Sequence, residues 1–293
     1  MPDGTVREDP GARLRRLITA REPALLLEGH NAVSARIAEE SGADGVWVSS
    51  LTLSCAYGLP DDESITIAQA IEAVSAIVAR VEVPVLFDGD TGYGGASQLA
   101  TLVGTLSGCG LAGIAIEDKV APKSNSLVAS ARHTLATIDE FCERLRIAKA
   151  SQRDAGFVVV ARTEALIAGR PLDEALARAE AYVDAGADAV LVHSRAPTFA
   201  EVDAFMRRWP RRAPILCVPT TYASTPPQAF ADAGIGAVIW ANHLMRASIA
   251  AMQATAAAIV RRKSAAGQDA AIAPIAELWR LQALTPSSVR AIG

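Results

Sequence analysis

Val83-Pro-Val-Leu-Phe-Asp-Gly-Asp90 (VPVLFDGD) starts as a continuous apolar run and ends in two carboxylates. An unbroken apolar, β-branched segment of this length fits a strand buried on both faces, as in a parallel sheet. Seven more segments share that grammar. They are Ala24–His30 (ALLLEGH), Gly45–Ser50 (GVWVSS), Gly113–Asp118 (GIAIED), Phe157–Ala165 (FVVVARTEA), Ala189–Ser194 (AVLVHS), Ile215–Thr220 (ILCVPT) and Ala237–Asn242 (AVIWAN). Amphipathic stretches lie between them, including Asn31–Ser41, Ile65–Val81, Gln98–Ser107, Ile138–Ala150, Leu172–Ala185 and Phe199–Arg207. Glycines in Ser41–Ala43, Ala185–Ala187 and Ala233–Gly236 stand where helices must stop, the place for a left-handed terminator.

Eight strands alternating with helices predict an α/β fold, a (β/α)8 TIM-type barrel. An open doubly wound sheet is the other solution, but no GxGxxG follows the first strand. At roughly 150 residues per domain the chain has room for two domains, yet α/β barrels run longer as one. Residues 1–293 are therefore read as a single barrel domain, with about 1–12 as a flexible N-terminus. A long helix, His243–Lys263, follows the last strand, and a polar linker, Ser264–Ala270, follows it. A last apolar helix over about 271–285 (Ile272–Leu284) has no place in an eight-unit barrel and needs a partner surface.

With 51% hydrophobic and 20% charged residues the chain can build one large core. Its net charge of −4 carries no basic stripe, which argues against nucleic acid or an anionic membrane as partner. Four scattered cysteines form no CxxC or Cys/His cluster, so neither zinc nor a disulfide framework is indicated. The acidic N-terminal stretch has no apolar core, so a cytoplasmic protein is expected. Only four of the 28 cations are Lys, and two of these, Lys119 and Lys123, share one five-residue stretch.

A barrel builds its active site at the C-terminal strand ends. Standing there are Glu28 and His30, Ser49 and Ser50, Asp88 and Asp90, Glu117 and Asp118, Arg162 and Glu164, His193 and Ser194, Thr220, and Asn242. Asp88 and Asp90, two apart on a strand, are expected to point the same way. With Glu117 and Asp61 they would form an all-oxygen cluster suited to Mg²⁺ or Mn²⁺. The competing reading is that Arg162 and the lysines neutralise these acids without metal. Arg162 and His193 are candidate anion binders. Ser49, Ser50 and Leu51, where strand 2 turns into a loop, offer backbone N–H groups. A stretch of about twenty residues from Asp118 to Thr137 is long enough to be a lid and carries Lys119, Lys123, Asn125 and Ser126.

DGDTGYG (Asp88–Gly94), EDKVAPKSNS (Glu117–Ser126), VVARTEA (Val159–Ala165), VHS (Val192–Ser194) and WANH (Trp240–His243) resemble the phosphoenolpyruvate mutase / isocitrate lyase superfamily, closest to its phosphoenolpyruvate mutase branch. The resemblance runs from about Leu14 to Leu284. It implies a Mg²⁺-dependent barrel, with Mn²⁺ as substitute, that interconverts phosphoenolpyruvate and 3-phosphonopyruvate in phosphonate biosynthesis. The other activities it allows are phosphonopyruvate hydrolysis, or lyase or decarboxylase chemistry on a related 2-keto acid. By position Asp88 would ligate the metal directly, and Asp61, Asp90 and Glu117 would hold its waters. Trp47, Ser49, Ser50, Leu51, Asp88, Arg162 and His193 would bind the substrate. Asn125, Lys123, Arg162 and His193 would carry catalysis. The superfamily's lyases carry Cys-Gly-His where this chain has Asn125-Ser126-Leu127, and the hydrolases typically carry Thr at the Asn125 position. Gly89 stands where Ala is usual. The resemblance also implies a homodimer or homotetramer with the C-terminal helix swapped onto a neighbouring barrel.

Overall fold

A computed structural model describes residues 8–128 and 133–282. The eight apolar runs form eight parallel strands: β1 (Ala24–Glu28), β2 (Gly45–Val48), β3 (Val85–Asp88), β4 (Gly113–Glu117), β5 (Val158–Thr163), β6 (Ala189–Val192), β7 (Ile215–Cys217) and β8 (Ala237–Trp240). Each pairs with the next, and β8 pairs with β1, so the barrel is closed. Eleven helices are described: α1 (Pro10–Ile18), α2 (Ala32–Glu40), α3 (Ser50–Ala56), α4 (Ile67–Val78), α5 (Ala96–Gly108), α6 (Ile138–Ser151), α7 (Leu172–Asp184), α8 (Ala200–Arg208), α9 (Pro227–Ala233), α10 (His243–Arg262) and α11 (Ile275–Gln282).

Local chemistry sets their ends. Asn31, Thr66 and Thr137 each accept a hydrogen bond from the third backbone N–H of their helix and complete a reciprocal capping box. Gly42, Gly186 and Gly234 have φ of 91°, 105° and 78°, the left-handed terminators expected from the sequence. At the β4–β5 contact Gly113 is required for space, because a Cβ there would lie 2.5 Å from the Val158 carbonyl oxygen.

The core has two layers. Leu26, Trp47, Leu86, Ala115, Val160, Leu191, Leu216 and Ile239 fill the barrel interior. Val46, Phe87, Ile114, Val159 and their neighbours pack outward under the helices. Each such side chain contributes about 1.5–3 kcal/mol on full burial.

Several boundaries differ from the sequence reading. The reading extends each strand through its polar tail, whereas the ladders stop one to three residues sooner, because the tails leave the sheet to form the rim. β3 ends at Asp88, and Asp90 takes φ +50°, so the two carboxylates do not lie on one strand. The strand-2 tail is not a loop but opens α3. Helix α1 begins at Pro10, inside the stretch read as a loose N-terminus, while 1–7 lie outside the described residues.

Helix α10 has Met245 as its one buried residue; its start packs against the barrel and most of its length is exposed. Glu28 of β1 accepts from the Met245 N–H at 2.9 Å and so caps its first turn. Helix α11 rests on α2 of its own chain, through Arg280–Glu40 and the Arg36 bond to the Leu281 carbonyl. Its other side leaves Ile275, Leu278 and Trp279 exposed. Residues 283–285 of the expected helix lie outside the described residues. No helix among the described residues is long and apolar enough to cross a membrane.

Candidate active site

Strand periodicity of two decides which rim residues face inward. Moving two residues on from the interior apolar residue reaches Ser49 from Trp47, Asp88 from Leu86, Glu117 from Ala115, Arg162 from Val160 and His193 from Leu191. The opposite parity points outward. Asp118 accepts from the Tyr182 hydroxyl at 2.7 Å and the Glu164 N–H at 2.8 Å, and Ser194 donates to Glu201 at 2.5 Å. Their place at strand ends is structural. Glu28 pairs with His30 at 2.6 Å and caps α10, so this pair also serves the scaffold.

Of this inward group, all but Glu117 line a cavity of about 50 Å³. Trp47, Ser49, Ser50, Leu51, Asp61, Asp88, Lys123, Asn125, Arg162 and His193 all line it, as the sequence reading expects. Asp90 and Glu117 do not line it; they meet it through Lys123 and Arg162. Ser126, Leu127, Val218, Thr220, Ala241 and Asn242 complete the wall. Val218 and Ala241 carry no chemical signal in the sequence, but inward parity from Leu216 and Ile239 would have found them. Ser50 and Leu51 begin α3, so their N–H groups have no acceptor within that helix.

The lid rises from a small antiparallel stem. Lys119 pairs with Leu135, and Ala136 N–H donates to the Asp118 carbonyl at 2.8 Å. Lys123 Nζ sits 2.6 Å from Asp61 and 2.7 Å from Asp90. Asn125 Nδ2 donates to the other Asp61 oxygen at 2.6 Å, and Asn125 Oδ1 accepts the Leu127 N–H at 2.9 Å. Lys119 does not reach the cavity; it donates to Ser126 Oγ at 2.5 Å and lies 3.0 Å from Glu164. Residues 129–132 of the lid lie outside the described residues.

Arg162 donates to Asp88 at 3.1 Å and to Glu164 at 2.7 Å, and lies 3.3 Å from Glu117. His193 Nδ1 is 2.7 Å from Glu164. Glu164 was legible as a rim acid but without a role; apart from Arg162, its partners His193, Ser126 and Lys119 lie 29 to 45 residues away and no local pattern marks them.

The electrostatics follow from burial. Burial, then Asp88, Asp61 and Glu117, hold Asp90 well above the usual carboxylate range despite Lys123. Burial also raises Glu117, against the pull of Arg162 and Lys119. Asp61 goes the other way, since Lys123 and Asn125 outweigh its burial. Burial lowers His193, and Glu164 opposes that shift.

Lys123 and Arg162 do pair with the acids, as the metal-free reading requires. Lys119 also lies 3.6 Å from Glu117. Both Glu117 oxygens and Asp90 Oδ1 are buried without a directed hydrogen bond, although Lys123 lies close to Asp90 Oδ1. The Tyr93 hydroxyl beside this cluster is unpartnered too. Unsatisfied buried acceptors are costly, which fits a hard cation and its waters. Among the described residues no three Asp, Glu, His or Cys side chains form a direct ligand cage. Gly89 leaves little room for the usual Ala, whose Cβ would meet Ile114 Cδ1 at 2.6 Å.

Comparison with known proteins agrees with this geometry. The family profile described as phosphoenolpyruvate phosphomutase matches residues 14–260. A phosphoenolpyruvate phosphomutase of Tetrahymena pyriformis is 43% identical over 92% of this chain and 90% of its own. The crystal structure of a phosphoenolpyruvate phosphomutase from Streptomyces platensis subsp. rosaceus superposes with a TM-score of 0.90 at 41% identity, covering 93% of this chain and 94% of that one. A phosphonopyruvate hydrolase in complex with oxalate and Mg²⁺ superposes with a TM-score of 0.87 at 34% identity, covering 97% of both chains. The chain belongs to the phosphoenolpyruvate phosphomutase family.

Proposed function

We propose that this barrel interconverts phosphoenolpyruvate and 3-phosphonopyruvate. The P–C3 bond breaks and a P–O bond to the enol oxygen forms, or the reverse; no atom is gained or lost, so the reaction is an isomerisation. The observation that carries this reading is Asn125. It lies on the lid, tied to Asp61, and lines one cavity with Arg162 and His193. No Cys stands in the lid positions where the lyases carry one. Cys55 and Cys109 are exposed, and Cys142 and Cys217 are buried away from the cavity.

Arg162 and His193 bind and orient the phosphoryl group, and the first N–H groups of α3 hold the carboxylate. Phosphoryl transfer is largely positioning plus charge stabilisation, which these donors supply. Asn125 steers the group between oxygen and carbon. The lid opens to admit substrate and then excludes water, because hydrolysis is the competing reaction. Mg²⁺, or Mn²⁺, held directly by Asp88 and through water by Asp61, Asp90 and Glu117, would supply Lewis-acid stabilisation of charge on the pyruvate part. A product with a P–C bond belongs to phosphonate synthesis.

The assay is a coupled one. Phosphonopyruvate and Mg²⁺ are incubated with lactate dehydrogenase and NADH, with and without pyruvate kinase and ADP. NADH oxidation that needs pyruvate kinase supports the mutase. Oxidation without it means pyruvate forms directly, by hydrolysis, and overturns this reading.

The active particle is read as a homodimer or homotetramer in which α11 stays on α2 of its own chain and its exposed side, with Ile275, Leu278 and Trp279, meets a neighbouring barrel. Sedimentation of Trp279→Glu tests this: the expected result is a shift to monomer, and an unchanged mass refutes it.

A further inference from the structure

Glu164 is fully buried one residue past β5, and both of its oxygens are engaged. Oε1 accepts from Arg162 Nε at 2.7 Å and meets His193 Nδ1 at 2.7 Å. Oε2 accepts from Ser126 Oγ of the lid at 2.6 Å and lies 3.0 Å from Lys119 Nζ. Its own N–H is fixed to Asp118, which the Tyr182 hydroxyl holds in turn. One carboxylate therefore touches both anion-binding side chains and the closing segment.

The imidazole has two neighbours at Nδ1. Arg162 NH2 lies at 3.0 Å and can only donate, while the carboxylate of Glu164 can only accept. Nδ1 satisfies one of them. The carboxylate contact is shorter and charge-assisted. Arg162 NH2 also has another acceptor, Ser126 Oγ at 3.1 Å. Nδ1 therefore carries the hydrogen and donates to Glu164, so Nε2 can donate to an anion in the cavity only when the ring is also protonated there, a form that the Glu164 carboxylate favours and burial opposes. Ser126 is coupled to the same pair. Its single hydrogen goes to Glu164, while its oxygen accepts from Lys119 and Arg162.

We propose that Glu164 is a positioning residue that sets the His193 tautomer and, through Ser126, links lid closure to occupation of the Arg162–His193 anion site. It acts on the substrate only through those residues. This rests on the reading of Arg162 and His193 as the phosphoryl-binding pair. The simpler role would be a counter-ion for Arg162 and Lys119, which would concern folding alone.

Two readouts separate the roles without needing turnover. Imidazole ¹⁵N NMR reports the His193 tautomer, and hydrogen exchange over residues 119–128 reports lid closure when phosphonopyruvate and Mg²⁺ are added. In the wild type, the Nδ1–H form and ligand-induced protection are expected. In Glu164→Gln the tautomer becomes mixed and the added protection is lost, and Glu164→Asp restores part of both. Ser126→Ala loses the protection and keeps the tautomer. In turnover, Glu164→Gln lowers kcat by about 10²-fold, the cost of a misplaced binding group, with a smaller change in KM. A folded Glu164→Gln that keeps the wild-type tautomer and the wild-type lid response overturns the proposal. A wild type that shows both signals but makes no phosphoenolpyruvate refutes the mutase reading and leaves this one standing.

Discussion

Lys123 of the lid and Asp61 of the loop after α3 are joined at 2.6 Å, and the same ammonium reaches Asp90 at 2.7 Å. The segment after β4 thus places a cation inside the acid cluster. Burial works against the ammonium, yet the surrounding acids, Asp90 and Glu117 foremost, hold its pKa well above the usual lysine value. Removing one partner of such a buried pair strands the others, at about 3–5 kcal/mol. Lys123→Met is therefore expected to be less stable without metal, to regain stability as Mg²⁺ is added, and to bind Mg²⁺ more tightly by calorimetry. Unchanged or weaker binding would mean that Lys123 does not balance these acids.

Asp88 and Asp61 are the acids that line the cavity, and Asp88 accepts there from Ser50 and Arg162. Asp88→Ala should abolish Mg²⁺-dependent turnover while circular dichroism stays near that of the wild type. Chelation by EDTA should silence the wild type, and Mg²⁺ should restore it. Full Mg²⁺-dependent activity in Asp88→Ala would remove the metal assignment.

Asn125 sits where the hydrolases typically carry Thr. Asn125→Ala is expected to lose phosphoryl transfer by about 10²-fold or more, as when one oriented donor is removed. Asn125→Thr should release inorganic phosphate and pyruvate from phosphonopyruvate, followed by a phosphate assay. Wild-type mutase rates in either variant would refute the steering role.

Stability at the rim depends on Asp118, whose burial raises its pKa and whose charge is met by the Tyr182 hydroxyl and Arg178. Tyr182→Phe leaves that carboxylate short of a donor. The expected loss is about 1–3 kcal/mol, read as a lower urea midpoint at constant slope. A midpoint within error of the wild type would show that the remaining donors, Arg178, the Thr163 hydroxyl and the Glu164 N–H, suffice.

How much of this was legible depended on range along the chain. The eight strands follow from unbroken apolar runs such as VLF and VVVA, because a strand buried on both faces needs nothing else. Their ends were overrun because a polar tail at a barrel rim looks the same whether it stays in the ladder or leaves it. Asp90 shows this: its left-handed backbone is held by tertiary bonds, Glu117 N–H to the Asp90 carbonyl and Thr91 to Glu63, that spacing cannot reveal. Ser50–Ala56 was missed as a helix because the short LTLSCA segment carries little periodicity. Family motifs brought the cavity residues together, but the roles of Glu164 and Lys119 depend on pairings between distant segments and emerge only in the fold.

A ³¹P NMR time course of phosphonopyruvate with Mg²⁺ and the purified protein separates transfer from hydrolysis. The phosphonate resonance is expected to decline as the phosphate-ester resonance of phosphoenolpyruvate grows in matching amount. A decline matched instead by inorganic phosphate, with pyruvate in solution, would contradict the mutase reading.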